Sequence, residues 1–281
     1  MATVLLGLFS ALVWGGGDFG GGLLSRRTPV FGVVLVSQVV GMSIALLLAL
    51  VVGETLLVTE DVGWSVVAAV AGGVGITALY HGLSVGRMGV VAPITGVLAA
   101  LIPVGAGILL EGVPGTLVVA GIVLAIAAVV LVSRVPDDGT HAGPSGMRFA
   151  LIGGVGLGAF SICLAQISDG HAFGALALIR GLEGVMLAAV ILVTRSRWRA
   201  KRELLPSMTA VGALDMAGNA SFVLAVQAGS LAVAAVLSSL YPVTTVILAS
   251  VFLRERVTPS HAIGIGLAAA AIACIGLGSA G

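Results

Sequence analysis

Arg180 and Glu183 stand three positions apart in the apolar run Phe173–Thr194, and Asp215 and Asn219 stand four apart in the run Ser207–Gln227. Either spacing puts both residues on one face of a helix. An ionised side chain at the centre of a bilayer costs on the order of 2.5–3.5 kcal/mol on insertion scales, so charges inside apolar runs need a reason. Arg180 can meet the carboxylate of a bound molecule or form a structural pair with Glu183, and Glu183 can exchange a proton. Asp215 has no cation on its own run. It is expected to be an unpaired acid and the leading proton carrier, the alternative being a hydrogen-bonded structural acid. Asp18, in the first apolar run, either exchanges a proton or faces water near the end of its helix. If all are ionised, Arg180 stands alone against Asp18, Glu183 and Asp215, an excess that a proton or a cationic group would offset.

The elements that hold these residues follow from composition. Of 281 residues, 59% are hydrophobic and only 9% charged, with 42 glycines. So few charges cannot cover the surface of a soluble enzyme. A bilayer core of about 30 Å takes about 20 apolar residues at 1.5 Å rise each, which makes the chain an all-α polytopic membrane protein. Charge and Pro/Gly breaks divide it into ten expected transmembrane helices: Ala2–Leu24, Val30–Val52, Trp64–Ser84, Met88–Leu110, Gly115–Ser133, Arg148–Ser168, Phe173–Thr194, Ser207–Gln227, Leu231–Leu253 and Pro259–Gly278. Pro29, Pro114, Pro206 and Pro259 sit at helix starts, where a missing amide donor costs little.

The longest polar stretch falls almost at the midpoint, so residues 1–133 and 148–281 are expected to form two five-helix repeats joined by a linker, 134–147. Gly82–Ile94 aligns without gaps on Ala225–Leu237, a weak match in so apolar a chain. Charge placement says more. Every Lys and Arg except Arg180 lies in an odd-numbered connection, from Arg26 and Arg27 through the Arg195–Arg202 cluster to Arg254 and Arg256. Cytoplasmic loops are enriched in Lys and Arg, so both termini are expected outside the cytoplasm. Equivalent loops of the two halves carry opposite charge, Glu54, Glu60 and Asp61 against the Arg195–Arg202 cluster, which points to halves inserted upside down relative to each other.

Pro93 and Pro103 in the fourth run and Pro242 in the ninth are expected to interrupt equivalent helices and act as hinges. Trp14, Gln38, Tyr80, Thr95 and Tyr241 are polar or aromatic groups within spans, candidate contacts for a bound solute or, on the blander reading, helix-packing groups. Two motif matches carry no chemistry. Gly15–Gly20 spells a dinucleotide fingerprint without a preceding strand, and Gly82–Gly86 spells a nucleophile elbow around Ser84, beside His81, without a strand-to-helix turn. Cys163 and Cys274 lie in apolar runs as inert thiols. The four histidines form no metal-ligand spacing, so neither metal nor cofactor is expected. No large basic segment suggests nucleic acid.

Leu12-Val13-Trp14-Gly15 followed by Asp18-Phe19, then Val91-Ala92-Pro93-Ile94, Tyr241-Pro242 and Leu253-Arg254-Glu255-Arg256 occur in one order along nearly the whole chain. Leu110-Glu111-Gly112 is the first-half partner of the last of these and keeps only its glutamate. The pattern resembles the drug/metabolite transporter superfamily, in particular the ten-helix EamA-type proteins. That resemblance implies two inverted five-helix repeats and a central site reached by alternating access. It implies transport of small organic solutes, often efflux, and gives weight to Trp14, Tyr80, Asn219 and Tyr241, which fall on helices placed around the cavity. Such proteins are commonly drawn with both termini cytoplasmic, whereas the charges here put them outside.

The resulting expectation is a secondary active transporter in the cell membrane, exporting small organic metabolites or drugs with proton coupling. Its partners would be a small-molecule solute and lipid, with the oligomeric state open. The rivals are an intramembrane enzyme using Ser84 and His81, and a passive channel or non-transporting receptor. Cysteines placed at Glu54 and Arg199 should be labelled by an impermeant thiol reagent from opposite sides of the membrane; labelling from one side would end the inverted arrangement.

Overall fold

A computed structural model of the protein describes the backbone of residues 1–25, 27–55, 57–85, 88–132, 144–252 and 258–278; the side chains of 22, 25, 80–85, 88–93, 132, 144, 145, 246 and 249 lie outside the description. The described residues form α1 (Ala2–Ser25), α2 (Val30–Val52), α3 (Thr59–Val85), α4 (Met88–Glu111), α5 (Thr116–Val132), α6 (Pro144–Leu164), α7 (Ala172–Thr194), α8 (Leu205–Gln227), α9 (Leu231–Ser238), α10 (Tyr241–Phe252) and α11 (Pro259–Gly278). Among them, nine segments are long and apolar enough to cross a membrane, Leu231–Phe252 counting as one across α9 and α10, and the apolar stretch Thr116–Leu131 of α5 is shorter.

Local chemistry sets the boundaries. α2 opens after Pro29 and closes on Gly53, whose φ of 75° is left-handed and whose N–H bonds the Ala49 carbonyl. α3 starts at Thr59, five residues before the expected Trp64, because Glu60 and Asp61 are well placed in a first helical turn. α6 begins at Pro144, inside the stretch read as linker, and ends at Leu164 rather than Ser168.

The prolines divide. Pro242 lacks the N–H that would bond Ser238, and the ninth span does break there: α9 ends at Ser238 and α10 begins at Tyr241. The ladder tightens across the gap, with the Leu240 N–H donating to Leu237 O and the Val243 N–H to Leu240 O. α4, in contrast, runs unbroken from Met88 to Glu111 through Pro93 and Pro103. The expected interruption of that helix is therefore corrected: each proline removes one backbone bond, and the neighbouring turns carry the helix past it.

Packing follows a pattern in which exchange of the halves turns the main contacts into one another. α3 packs on α6 as α1 packs on α8; α4 packs on α6 as α1 packs on α9 and α10; α2 packs on α8 as α3 packs on α7. α2–α7, α4–α9 and α5–α11 are each paired with their own counterpart. Two of these self-paired contacts meet end to start. Glu54, just past the end of α2, accepts hydrogen bonds from the N–H groups of Phe173 (3.0 Å) and Gly174 (2.7 Å) in the first turn of α7. Glu111, the last residue of α4, accepts from the N–H of Leu231, the first of α9, at 2.8 and 3.1 Å. A carboxylate at a helix N-terminus satisfies orphan amides and meets the positive end of the dipole. Every residue of α9 is buried, and the apolar core spreads from it through α8, α5 and α11.

Close helix crossings depend on glycine. A β-carbon at Gly156 of α6 would stand 2.7 Å from the Cα of Gly75 and 2.8 Å from the Ala71 carbonyl on α3. Gly156→Ala should destabilise the detergent-solubilised protein by about 1–3 kcal/mol through overpacking. Gly266→Ala, where nothing lies within 4 Å, should be neutral or slightly stabilising. Thermal denaturation of both variants checks the pair.

Candidate functional site

The site forms where α1, α2, α7 and α8 converge. On α8, Gly218 and Phe222 lie one turn apart and face Trp14 of α1, while Asp215 and Asn219, also one turn apart, stand beside them on the helix. Gly218 lies against the Trp14 ring, which a β-carbon there would overlap. The same ring packs on Phe222 with centroids 5.8 Å apart and planes tilted by 30°. Ser10 Oγ donates to the Gly218 carbonyl at 2.9 Å, fixing the seam.

On α1, Gly17 lies against Leu214 and Asp215, and Gly15 against Tyr241 and Thr244 of α10. At about 100° per residue, Trp14 and Asp18 fall on the stripe between these two contacts. Leu5, Phe9 and Leu12, 50–62% exposed, mark the opposite, lipid-facing side of the helix. Asp18 is also exposed, yet it points away from that side and lies within Coulombic reach of Asp215 and Tyr241. It therefore lies on the side of α1 turned toward α8 and α10.

Arg180 organises the rest. Its Nη1 donates to Gln38 Oε1 of α2 at 2.9 Å and to Glu183 Oε2 at 3.2 Å, and its Nη2 pairs with Asp215 Oδ2 of α8 at 2.6 Å. The Arg180 and Glu183 side chains are 7% and 6% exposed, whereas Asp215 is 33% exposed. The buried cation thus holds an accessible acid and a buried one, and reaches Gln38 in the first half of the chain. Glu183 needs space on α3: a β-carbon at Gly72 would stand 2.6 Å from its Oε1. Asn219 Nδ2 donates to the Asp215 carbonyl at 2.7 Å and to Asp215 Oδ1 at 3.3 Å.

The expectation that Asp215 is unpaired is corrected. A guanidinium presents donors in a planar fork, so Arg180 serves acids on two helices at once, and only its own-helix neighbour is visible from spacing. Arg180, Glu183, Asp215, Asn219 and Gln38 come together, with Trp14 and Asp18 along the accessible edge. Tyr241 opens α10, and its hydroxyl lies against Gly96 of α4, 3.6 Å from where a β-carbon would stand. Thr95 is apart from the cluster, its hydroxyl donating to the Ala150 carbonyl at 3.1 Å between α4 and α6. Pro103 lies within α4 and Pro242 at the start of α10. The side chains of Tyr80, His81, Ser84 and Pro93 lie outside the described residues.

A second polar group, at the even-numbered connections, was not singled out by sequence. Asp61, fully buried, accepts from the Ser168 N–H at 2.9 Å and from His171 Nδ1 at 2.6 Å, while Thr55 Oγ1 meets His171 Nε2 at 2.9 Å. Gln227 Nε2 donates to the carbonyls of Ile167 and Ser168. The bonds of Asp61, Thr55, Glu54 and Glu111 tie the first half of the chain to the second, whereas those of Gln227 join two connections of the second half. The available signal was acids in short connections without cations, whose natural partners are helix N-termini.

Removing Arg180 would leave Glu183 and Asp215 as uncompensated acids. Arg180→Met is expected to cost about 3–5 kcal/mol, and Arg180→Lys less, because an ammonium keeps the charge but not the fork. Unfolding of the solubilised variants measures both. A double-mutant cycle on Arg180 and Asp215 should give a coupling of about 0.5–3 kcal/mol.

Residues 144–277 match the family model described as EamA-like transporter family. No curated protein matches the chain. Among solved structures, a crystal structure of another protein superimposes with a TM-score of 0.75 over 98% of this chain and 96% of that one, at 18% identity, and so shares the fold. The apolar helices make the chain an integral membrane protein, and its residues 144–277 are similar to the EamA-like transporter family, of the drug/metabolite transporter superfamily.

Proposed function

We propose that this membrane transporter of the drug/metabolite type is a secondary active exporter of small organic metabolites or drugs, working by alternating access and coupled to protons in the cell membrane. The observation that carries the reading is the ion cluster within the spans, in which Arg180 holds Glu183 and Asp215 of the second half and Gln38 of the first. Buried ionisable groups inside membrane spans mark solute paths and proton relays.

In this reading the halves are inverted repeats. The end-to-start meeting of α2 with α7 and of α4 with α9 supports it, as does the contact pattern that survives exchange of the halves. Glu183, Asp215 and Asp18 exchange the coupling proton. A proton on Asp215 weakens its tie to Arg180 and, through Nη1, the grip on Gln38. Trp14, Gln38, Tyr80, Arg180, Asn219 and Tyr241 contact the solute, and Thr95 steadies the α4–α6 wall beside it. Pro93, Pro103 and Pro242 absorb bending, with the break before Pro242 the main hinge. Both termini lie outside the cytoplasm, so Glu54, Glu111 and the Asp61–His171 pair close the extracytoplasmic end. Solute enters from the opposite end in this state.

Flux into proteoliposomes tests this. Uptake of a transported solute should saturate and accelerate when a proton gradient is imposed. Asp215→Asn should retain saturable exchange but lose that acceleration. Flux that never saturates would make the protein a channel, and saturable flux indifferent to the gradient in both proteins would remove the coupling.

A further inference from the structure

The two ends of the bundle are finished differently. At one end Glu54, Asp61 and Glu111 each accept hydrogen bonds from backbone N–H groups. At the other, where α7 ends and α2 begins, the charges are cations. Residues 195–203 carry Arg195, Arg197, Arg199, Lys201 and Arg202 against the single acid Glu203. All are exposed, and none of the five cations has an ion pair or side-chain hydrogen bond with another described residue. Cations this close repel one another, so their counter-charge comes from outside the chain. The segment is nonetheless held in place. It leaves α7 at Arg195, whose φ of 53° is left-handed, and turns back over the start of α2. There the Trp198 carbonyl packs on Gly32, where a β-carbon would overlap it, and Ala200 and Leu204 pack with the buried Leu24, Val33 and Met208. Arg27 borders the same patch from the first half. It is exposed, and its N–H bonds the carbonyl of Leu24, a member of that apolar cluster, at 2.8 Å.

We propose that Arg27 and the cations of residues 195–202 bind the phosphate headgroup of an anionic phospholipid, whose acyl chain lies along α7. Guanidinium groups match phosphate oxygens in geometry as well as charge. The level is that of a headgroup: Trp198, 45% exposed, sits in the segment as an aromatic anchor does at a membrane–water interface. Directly beneath it the outer face of α7 is hydrocarbon. Val185, Leu192 and Val193, 68–84% exposed, fall on one outward stripe at i, i+7 and i+8. A soluble phosphate would meet the cations and leave that stripe unused, whereas a phospholipid meets both. Juxtamembrane clusters of four to eight Lys and Arg are attracted to anionic lipid in this way. Arg27 belongs to the first half of the chain and Arg195–Arg202 to the second. A headgroup shared between them would join the halves at the end that the carboxylate bonds do not reach. The site stands apart from the central ion cluster and does not rest on what the protein carries.

Lipid retention by the purified full chain tests this. The protein is equilibrated with equal amounts of phosphatidylglycerol and phosphatidylcholine in a nonionic detergent, washed by gel filtration in lipid-free detergent, and the retained lipid is extracted and counted. Each engaged cation is worth about fivefold, so two or more predict retention of phosphatidylglycerol at least about tenfold over phosphatidylcholine. Arg197→Gln with Arg199→Gln, which leaves three cations in the connection, should cut that preference at least about fivefold, while the double Lys variant keeps about half of it or more. Arg148→Gln removes an exposed cation from α6 instead and should change the preference less than about twofold. Glycerol 3-phosphate in the wash should leave the retained lipid unchanged. Equal retention of the two lipids overturns the proposal, and that comparison needs no variant to fold. A loss with Arg148→Gln as large as with the double Gln variant would mean diffuse surface charge and no site. Displacement of the lipid by glycerol 3-phosphate would make this a site for soluble phosphates and remove the lipid.

Discussion

A guanidinium cannot shed its charge, so a chain that carries Arg180 into a bilayer must carry the counter-charges with it. That constraint orders the centre of this protein. Glu183 lies one turn away on the same helix, Asp215 comes from α8 and Gln38 from α2, and together they occupy Arg180 Nη1 and Nη2. Packing has been arranged around this charge. Gly72 leaves room for the second Glu183 oxygen, and Gly41 lets α2 lie against the Arg180 stem. The cluster is therefore also a joint: its Asp215 arm ties α7 to α8, and its Gln38 arm ties the second half of the chain to the first.

The ends of the helices obey a related rule. In hydrocarbon every backbone amide needs a partner, and at the membrane edge a helix start exposes several that have none. Glu54 and Glu111 serve the starts of α7 and α9, and Asp61 serves the connection before α7. All three acids come from the first half and all their partners from the second. The same hydrogen bonds that finish the helices thus join the two halves at that end, while close crossings such as Gly156 on Gly75 and Ala71 rest on small residues. Small residues let the helix backbones approach closely, so these seams rest on close packing and the polar bonds are gathered at the helix ends.

How far the sequence could be read follows from which interactions are local. The spans were legible because bilayer thickness fixes their length, and observed bounds differ from expectation by a few residues where an acidic first turn or a proline start extends a helix, as at Thr59 and Pro144. The Arg180–Glu183 pair was legible because both residues share one turn. Its third member was not, since nothing in the spacing of α8 says that a cation on α7 reaches Asp215. Proline was ambiguous for a different reason. Pro103 and Pro242 carry the same chemistry, but the backbone before Pro242 shifts to tighter bonds and α4 does not. Neighbouring helices decide between these outcomes, and sequence does not reveal them. Glu54, Glu111 and Asp61 stood out only as loop charge; their role depends on helix starts more than a hundred residues away.

Asp215 joins the two parts of the centre. One of its oxygens belongs to Arg180 and the other to Asn219, and it is more exposed than Arg180 or Glu183. Whatever binds on that side, a proton or a cationic group, competes with Arg180 for the same carboxylate. Arg180 in turn shares Nη1 between Glu183 and Gln38, so a weaker hold on Asp215 redistributes its hydrogen bonds toward or away from α2. A ligand can shift an equilibrium between arrangements only by as much as it distinguishes them. In the proposed reading the distinction has a physical location, the Asp215 carboxylate, because its partner Arg180 is also the partner of Gln38 in the other half of the chain.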